Sequence, residues 1–411
     1  MSEIKTYTLE QLCIVGSSKR VHLSDYVQQG VPFYRSKEVI EISSGKNISE
    51  QLFISSEKYS EIKSKFPVPQ ENDVLITAVG TIGEILVVKD PNFYFKDGNL
   101  IWLRNINFDI IDIDYLYYFF KSDLFQKTIK YNNIGAVQKA LTIDFLKTVK
   151  ITLPSLDNQR KLVSVLKSID KKIQINNQIN QELEAMAKTL YDYWFVQFDF
   201  PDQNGKPYKS SGGKMVYHPE LKREIPEGWG VENLFNVVDV QYGYPFSTYY
   251  FNSTGEGVPV IRIRDILGND ITNYSTEEVE DKYKINVGDV LIGMDGNFHM
   301  NYWIKEDCYL NQRVVKVNSD KLPNMVLKYQ IEPFIKLREK SVSRTTVGHL
   351  SDKDLKAINV FLPKDKYLFS IFEKFESILE NIIINQQQNQ ELTQLRDWLL
   401  PMLMNGQVKV E

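Results

Sequence analysis

From Leu162 the apolar positions of the chain fall at 162, 166, 169 and 173 and again at 183, 187, 190 and 194, in alternating steps of four and three. That 3.5-residue period predicts a coiled-coil seam rather than an ordinary amphipathic helix. The same seam recurs at Ile371, Phe375, Ile378, Ile382, Leu392, Arg396, Leu399 and Leu403, with an offset of 209 residues. Both copies are interrupted at the same places, by Asn176 and Asn180 and by Asn385 and Asn389. An asparagine in a seam is costly unless its amide finds a partner, and such residues commonly fix register. An antiparallel pair of helices would set Asn176 against Asn389 and Asn180 against Asn385. A parallel pair would set Asn176 against Asn385, and both satisfy the amides. A two-fold relation between the repeats favours the antiparallel form. The bland alternative is a Gln/Asn-rich break that faces water. Arg396 and Pro401 weaken the second seam and predict a kink or an early stop there.

The repeat extends beyond the seam. Leu141-Thr142-Ile143-Asp144-Phe145-Leu146-Lys147, running to Leu153-Pro154, answers Leu350-Ser351-Asp352-Lys353-Asp354-Leu355-Lys356, running to Leu362-Pro363. Upstream the offset varies. Asp73-Val74-Leu75-Ile76 answers Asp289-Val290-Leu291-Ile292, and Gly30-Val31-Pro32 with Arg35 answers Gly257-Val258-Pro259 with Arg262. Leu9–Leu12 loosely answers Val231–Leu234. Each half is therefore a module free to diverge, followed by a helical frame of fixed length.

Within the modules, Val74–Val88, Asn99–Arg104, Val258–Ile263 and Val290–Ile292 are rich in β-branched residues and punctuated by glycine, and predict strands. Tyr115–Phe125 and Met325–Glu339 predict helices ahead of the repeat-closing loops. The expected class is α+β: two mixed α/β modules joined by two long helices pairing as an antiparallel coiled coil, in a pseudo-two-fold internal repeat. The divisions fall at 1–156, 157–198, 199–363 and 364–411: module, helical region, bridge plus second module, and second helical region.

Composition adds mostly exclusions. Of 411 residues, 43% are hydrophobic and 25% charged, which excludes a disordered tail, a rod and a disulfide scaffold. Cys13 and Cys308 lie far apart, outside metal-like spacing, and read as free thiols. The start lacks a signal-peptide core and no apolar run approaches a membrane span, so a cytoplasmic protein is expected. The net charge of −4 lacks the basic excess of a free-standing nucleic-acid binder.

The motifs present and absent favour recognition over catalysis. Ser211-Gly212-Gly213-Lys214-Met215 lacks the spacing and hydroxyl of a phosphate-binding P-loop, and no Cys/His cluster, H-E-x-x-H or G-x-S-x-G occurs. The Asn-Pro-Pro-aromatic tetrapeptide of amino-group DNA methyltransferases is also missing. Asp109, Asp112 and Asp114 read as a solvated turn. No catalytic residue, metal site or cofactor is expected in this chain.

What recurs in both modules is a set of polar loops. Ser17, Ser18, Lys19 and Arg20 stand in one near the first start, and Tyr242 and Tyr244 in another near the second. Arg35 and Lys37, and then Arg262 and Arg264, follow the two Gly-Val-Pro turns. Gln138 and Lys139, and then Arg344, Thr345, Thr346 and His349, stand in the loops that precede the helical frames. Arg, Lys, Asn and Gln can read base edges, while Ser, Thr and glycine-loop amides hold phosphates. These are the candidate DNA contacts; the alternative is turn chemistry and solubility.

The bridge carries a resemblance. Tyr193-Trp194-Phe195-Val196-Gln197-Phe198, Asn204-Gly205-Lys206-Pro207-Tyr208, Ser210-Ser211-Gly212-Gly213-Lys214-Met215 and Glu224-Ile225-Pro226-Glu227-Gly228-Trp229 closely resemble the central conserved region of specificity (S) subunits of type I restriction–modification enzymes. The Gly135…Leu141-Thr142 loop and the Leu-Leu-Pro at 399–401 are similar to the same family. The resemblance implies two target-recognition domains, each reading one half of a bipartite site in double-stranded DNA. It implies helices that set the spacer and dock two modification methyltransferase subunits. S-adenosylmethionine, ATP and Mg²⁺ would then belong to those subunits and to motor–nuclease restriction subunits, and no membrane is involved. It also reconciles the low charge with DNA, since partner subunits would supply most phosphate contacts. The competing readings are a fused enzyme whose motifs are hidden and an asymmetric protein scaffold without sequence-specific DNA binding.

Overall fold

The computed structural model describes residues 4–132, 140–342, 348–363 and 369–404. The chain divides into two compact units: residues 1–172 with 392–411, and residues 173–391.

The first unit is built on an antiparallel four-stranded sheet ordered Ile14–Gly16, Leu100–Arg104, Val74–Thr77 and Ile85–Val87. The glycine-punctuated stretch Val74–Val88, expected to be strand, is thus a hairpin. Val74–Thr77 is buried on both faces, which explains its unbroken apolar run. A second sheet is ordered Tyr26–Val27, Leu52–Ile54, Val31–Tyr34 and Tyr94–Phe95, its last pair parallel. Lys5–Thr8 pairs with Lys150–Leu153 and closes the module.

The second unit repeats this plan. Its four-stranded sheet is ordered Asp239–Tyr242, Val314–Asn318, Val290–Gly293 and Met300–Tyr302. Val258–Ile261 pairs parallel with Cys308–Leu310 as Val31–Tyr34 does with Tyr94–Phe95. Trp229–Asn233 pairs with Asn359–Pro363 to close it.

Those closures correct one expected match. Leu9 donates its amide to Val149 O at 3.0 Å, and Leu234 donates its amide to Ile358 O at 2.9 Å. Leu9 therefore answers Leu234, and the loose match to Val231 is displaced by three residues. Main-chain pairing fixes that register, whereas a short run of common residues does not. The helix expected at Tyr115–Phe125 is likewise two helices, Ile113–Lys121 and Asp123–Asn132, broken at Ser122, while its counterpart Asn324–Val342 is continuous. Asp112 caps the first of these by accepting the Asp114 and Tyr115 amides.

Two long helices, Leu156–Tyr191 and Phe369–Met404, each have 36 residues, about 54 Å at 1.5 Å per residue. The predicted seam is their inner face: Leu162, Leu166 and Ile169 are buried in one, and Ile371, Phe375, Ile378 and Ile382 in the other. The second helix does not stop early, because Pro401 lies inside it. Arg396 finds Asp170 across the seam, so its charge does not end the pairing. In the second unit the asparagines meet in the antiparallel arrangement. Asn176 is fully buried and donates to Asn389 Oδ1 at 3.0 Å, and Asn385 donates to Asn180 Oδ1 at 2.9 Å. The Gln-rich break is also engaged, with Gln387 donating to Ile304 O at 2.7 Å. It is not a water-facing gap.

Cys13 and Cys308 are free and buried, and burial pushes the thiols up to about 12 and about 11. Among the described residues no helix is long and apolar enough to cross a membrane.

Candidate nucleic-acid interface

Loops far apart in sequence converge where the central strand of each four-stranded sheet begins. In the first unit the Asn99 carbonyl accepts the Ala78 amide at 2.8 Å and the Ser36 hydroxyl at 3.3 Å. The Ser17 hydroxyl donates to Leu100 O at 3.2 Å and the Ser18 hydroxyl to Phe95 O at 2.7 Å. Leu141 returns its amide to Ala78 O at 2.8 Å. Residues 17–20, 35–37, 78–83 and 140–141 thus surround one strand entrance.

The second unit gathers its counterparts in the same way. Gly243 donates to Val314 O at 3.0 Å and Tyr244 to Leu310 O at 2.9 Å. Met294 donates to Arg313 O at 3.0 Å, and Leu350 to Met294 O at 2.8 Å. A cleft of about 340 Å³ is lined by Arg262, Ile263, Arg264, Asn311, Arg313 and Val314. Gly243 is required here, because a Cβ would stand 1.9 Å from Asn311 O.

The candidate side chains then separate by what already holds them. Ser17 and Ser18 spend their hydroxyls tying the loop down. The Lys19 amide donates to the Tyr94 hydroxyl at 2.8 Å, and its ammonium lies 4.6 Å from the Phe66 ring centre. Arg20 is exposed and pairs with Asp97 at 3.0 Å. Arg35 precedes a helix whose Glu38 is fully buried, and holds that carboxylate at 2.7 Å with Glu50 beside it. Lys37 reaches Glu50 at 3.4 Å.

Arg262 repeats the Arg35 arrangement: its amide donates to Asp265 at 2.9 Å, its guanidinium to Thr272 at 2.6 Å, and Asp265 is 1% exposed. Arg264 is 67% exposed, with Asp265 4.0 Å away. The Tyr242 hydroxyl donates to Asp352 at 2.6 Å, and burial together with that carboxylate raises it well above the usual phenol range. Tyr244 donates to Glu277 at 3.0 Å, which raises its hydroxyl too. His349 Nδ1 lies 2.6 Å from Asp295, which also holds Arg313 at 3.2 Å. Gln138, Lys139, Arg344, Thr345 and Thr346 lie outside the described residues.

Arg313 was not among the residues that the sequence singled out. The signal available is positional: it stands immediately before the strand Val314–Asn318, as Asn99 stands before Leu100–Arg104 at the end of a β-rich run. Asp114, in the supposed turn, pairs with Lys167.

A duplicated α+β chain, with divergent polar loops gathered at one sheet entrance per module and helices repeating in strict register, defines the class. A family model described as the type I restriction modification DNA specificity domain matches residues 1–185 and again 226–394. The chain belongs to that family and carries the domain twice. The type I restriction enzyme MjaIX specificity subunit of Methanocaldococcus jannaschii is 27% identical over 416 residues, spanning 96% of this chain and 91% of that protein. The type I restriction enzyme EcoBI specificity subunit of Escherichia coli is 28% identical over 173 residues, 42% of this chain and 36% of that protein. The crystal structure of a type-I restriction-modification system S subunit from M. genitalium shares the fold, with a TM-score of 0.55 at 16% identity over 98% of this chain and 96% of that one.

Proposed function

We propose that this chain is the non-catalytic DNA-reading subunit of a type I restriction–modification system, and that each module reads one half of a bipartite double-stranded site. The observation that carries the reading is the shared convergence of loops on the strand entrance in both modules, with Lys19, Arg20 and Lys37 at one and Arg264 and Arg313 at the other. Arginine offers a planar donor fork to a guanine edge and lysine a point charge to a phosphate. Arg35 and Arg262 are already committed to buried carboxylates, so in this reading they shape the loops rather than reach bases.

The paired helices set the spacer and dock two modification methyltransferase subunits. S-adenosylmethionine-dependent adenine methylation is the work of those subunits, and ATP and Mg²⁺ belong to the motor–nuclease subunits; this chain contributes no step of that chemistry. It works in the cytoplasm. With a net charge of −4, the isolated chain binds DNA weakly and loses it with rising salt. Expression with its modification subunit, followed by sequencing of methylated adenines in the host genome, tests the assignment. A two-part methylated motif is the expected result; methylation without such a motif, or none from an active modification subunit, overturns it.

A further inference from the structure

The asparagine layer fixes register but does not say which helix is which. In an antiparallel pair an Asn meets an Asn whether the first long helix pairs with the second or either pairs with its equivalent in another copy of the chain. Since both helices carry the same seam at a 209-residue offset, a second copy of this chain competes for every helix.

One layer breaks that equivalence. In the first unit Arg396 donates Nη1 to Asp170 Oδ1 at 2.9 Å, and the Tyr118 hydroxyl donates to the other carboxylate oxygen at 2.6 Å. The residue 209 positions after Asp170 is Leu379, and the residue 209 positions before Arg396 is Ala187; both are buried. Self-pairing of the first helix would therefore set Asp170 against Ala187. Self-pairing of the second would set Arg396 against Leu379. Symmetry repeats each mismatch twice. Arg396 also has Asp397 at 2.9 Å on its own helix, so stranding Asp170 is the heavier penalty.

We propose that the Asp170–Arg396 ion pair makes the helix pairing heterotypic, so that another copy of this chain cannot substitute its own equivalent helix, while the asparagines set the register alone. The pair is about a third exposed, so its net contribution to stability is small. Its force lies in what the wrong pairing loses, a charge left against an apolar neighbour.

The test uses the full chain with Asp170→Arg, with Arg396→Asp, and with both together. Each single reversal sets like charges across the seam and lowers the melting temperature; the double reversal restores it and leaves a monomer of 47.8 kDa. The two single variants are then unfolded, mixed and refolded together. Each native charge on one chain finds its opposite on the other, and each substituted residue finds its substituted counterpart. A dimer of the two different chains is expected to exceed either homodimer by on the order of tenfold. This readout holds even if neither single variant folds alone. If the double reversal melts no higher than the singles, or the mixture contains only the species formed by the chains refolded apart, the pair does not select and the proposal falls.

Discussion

Arg35 and Arg262 occupy equivalent places, each leading into a helical turn whose carboxylate three residues on is buried. Removing the Arg35 guanidinium takes the nearest cation from buried Glu38, and removing that of Arg262 leaves buried Asp265 with only Arg264 at 4.0 Å. Arg35→Ala and Arg262→Ala are each expected to cost about 2 kcal/mol, read from urea unfolding. Arg264→Ala and Arg313→Ala should leave the urea midpoint almost unmoved and alter the half-site read by the second module alone, read from the methylated motif. Loss of both half-sites from either change would point to misfolding or to a surface shared by both modules. A second contrast lies in the sheets, where Asp73 accepts the Gln70 amide and the Trp102 indole N–H, while Asp289 accepts the Asn286 amide and pairs with Lys316. Burial pushes the Asp73 carboxyl above its ordinary value. Between the ordinary and the raised value the folded chain holds a proton that the unfolded chain has released, so stability falls as pH rises through that window and the effect is constant above it. Asp73→Asn keeps the acceptor oxygen and should remove this component, seen as a change in the wild-type-minus-variant stability difference across mildly acidic pH.

At the scale of elements, the helices were the most legible part of the chain, because a 3.5-residue period survives divergence of everything between seam positions. The amides alone left both orientations open; the two-fold relation of the repeats favoured the antiparallel one, and the Asn176–Asn389 and Asn180–Asn385 contacts bear it out. Asn180→Leu alone deprives Asn385 of its acceptor and is expected to lower the melting temperature. Adding Asn385→Leu should raise it to the wild-type value or above, because a filled apolar layer replaces a polar one, with looser control of register. If the double variant melts below the single one, the layer contributes stability and not register. Of the two outcomes expected at Pro401, a kink or an early stop, the early stop does not occur, because tertiary packing of Leu400 and Leu403 against the first unit's core outweighs the lost hydrogen bond.

For the whole molecule, the locked 209-residue offset of the frame against the drifting offsets of the modules is the feature that the spacer role of the helices rests on. Removing one heptad from each helix shortens each by about 10 Å, the rise of about three base pairs. The methylated motif should then keep both half-sites and change its spacer; an unchanged spacer would separate the helices from that role.

The sequence by itself determined the duplication, the α+β class, the heptad seam with its asparagines and the family, because each rests on local periodicity or on repeated short runs. It also identified some of the loops that meet at the two sheet entrances, those around Ser17, Ser36, Gly243 and Arg264, but not the ones at Ala78 and Arg313. Only the tertiary structure decided which cations in those loops are tied to a buried carboxylate. Arg35 and Arg264 read alike as surface arginines, and the difference between them is a carboxylate, Glu38 or Asp265, and how much of the guanidinium it already holds. That depends on which groups folding brings within about 3 Å of one another, and spacing along the chain does not encode it.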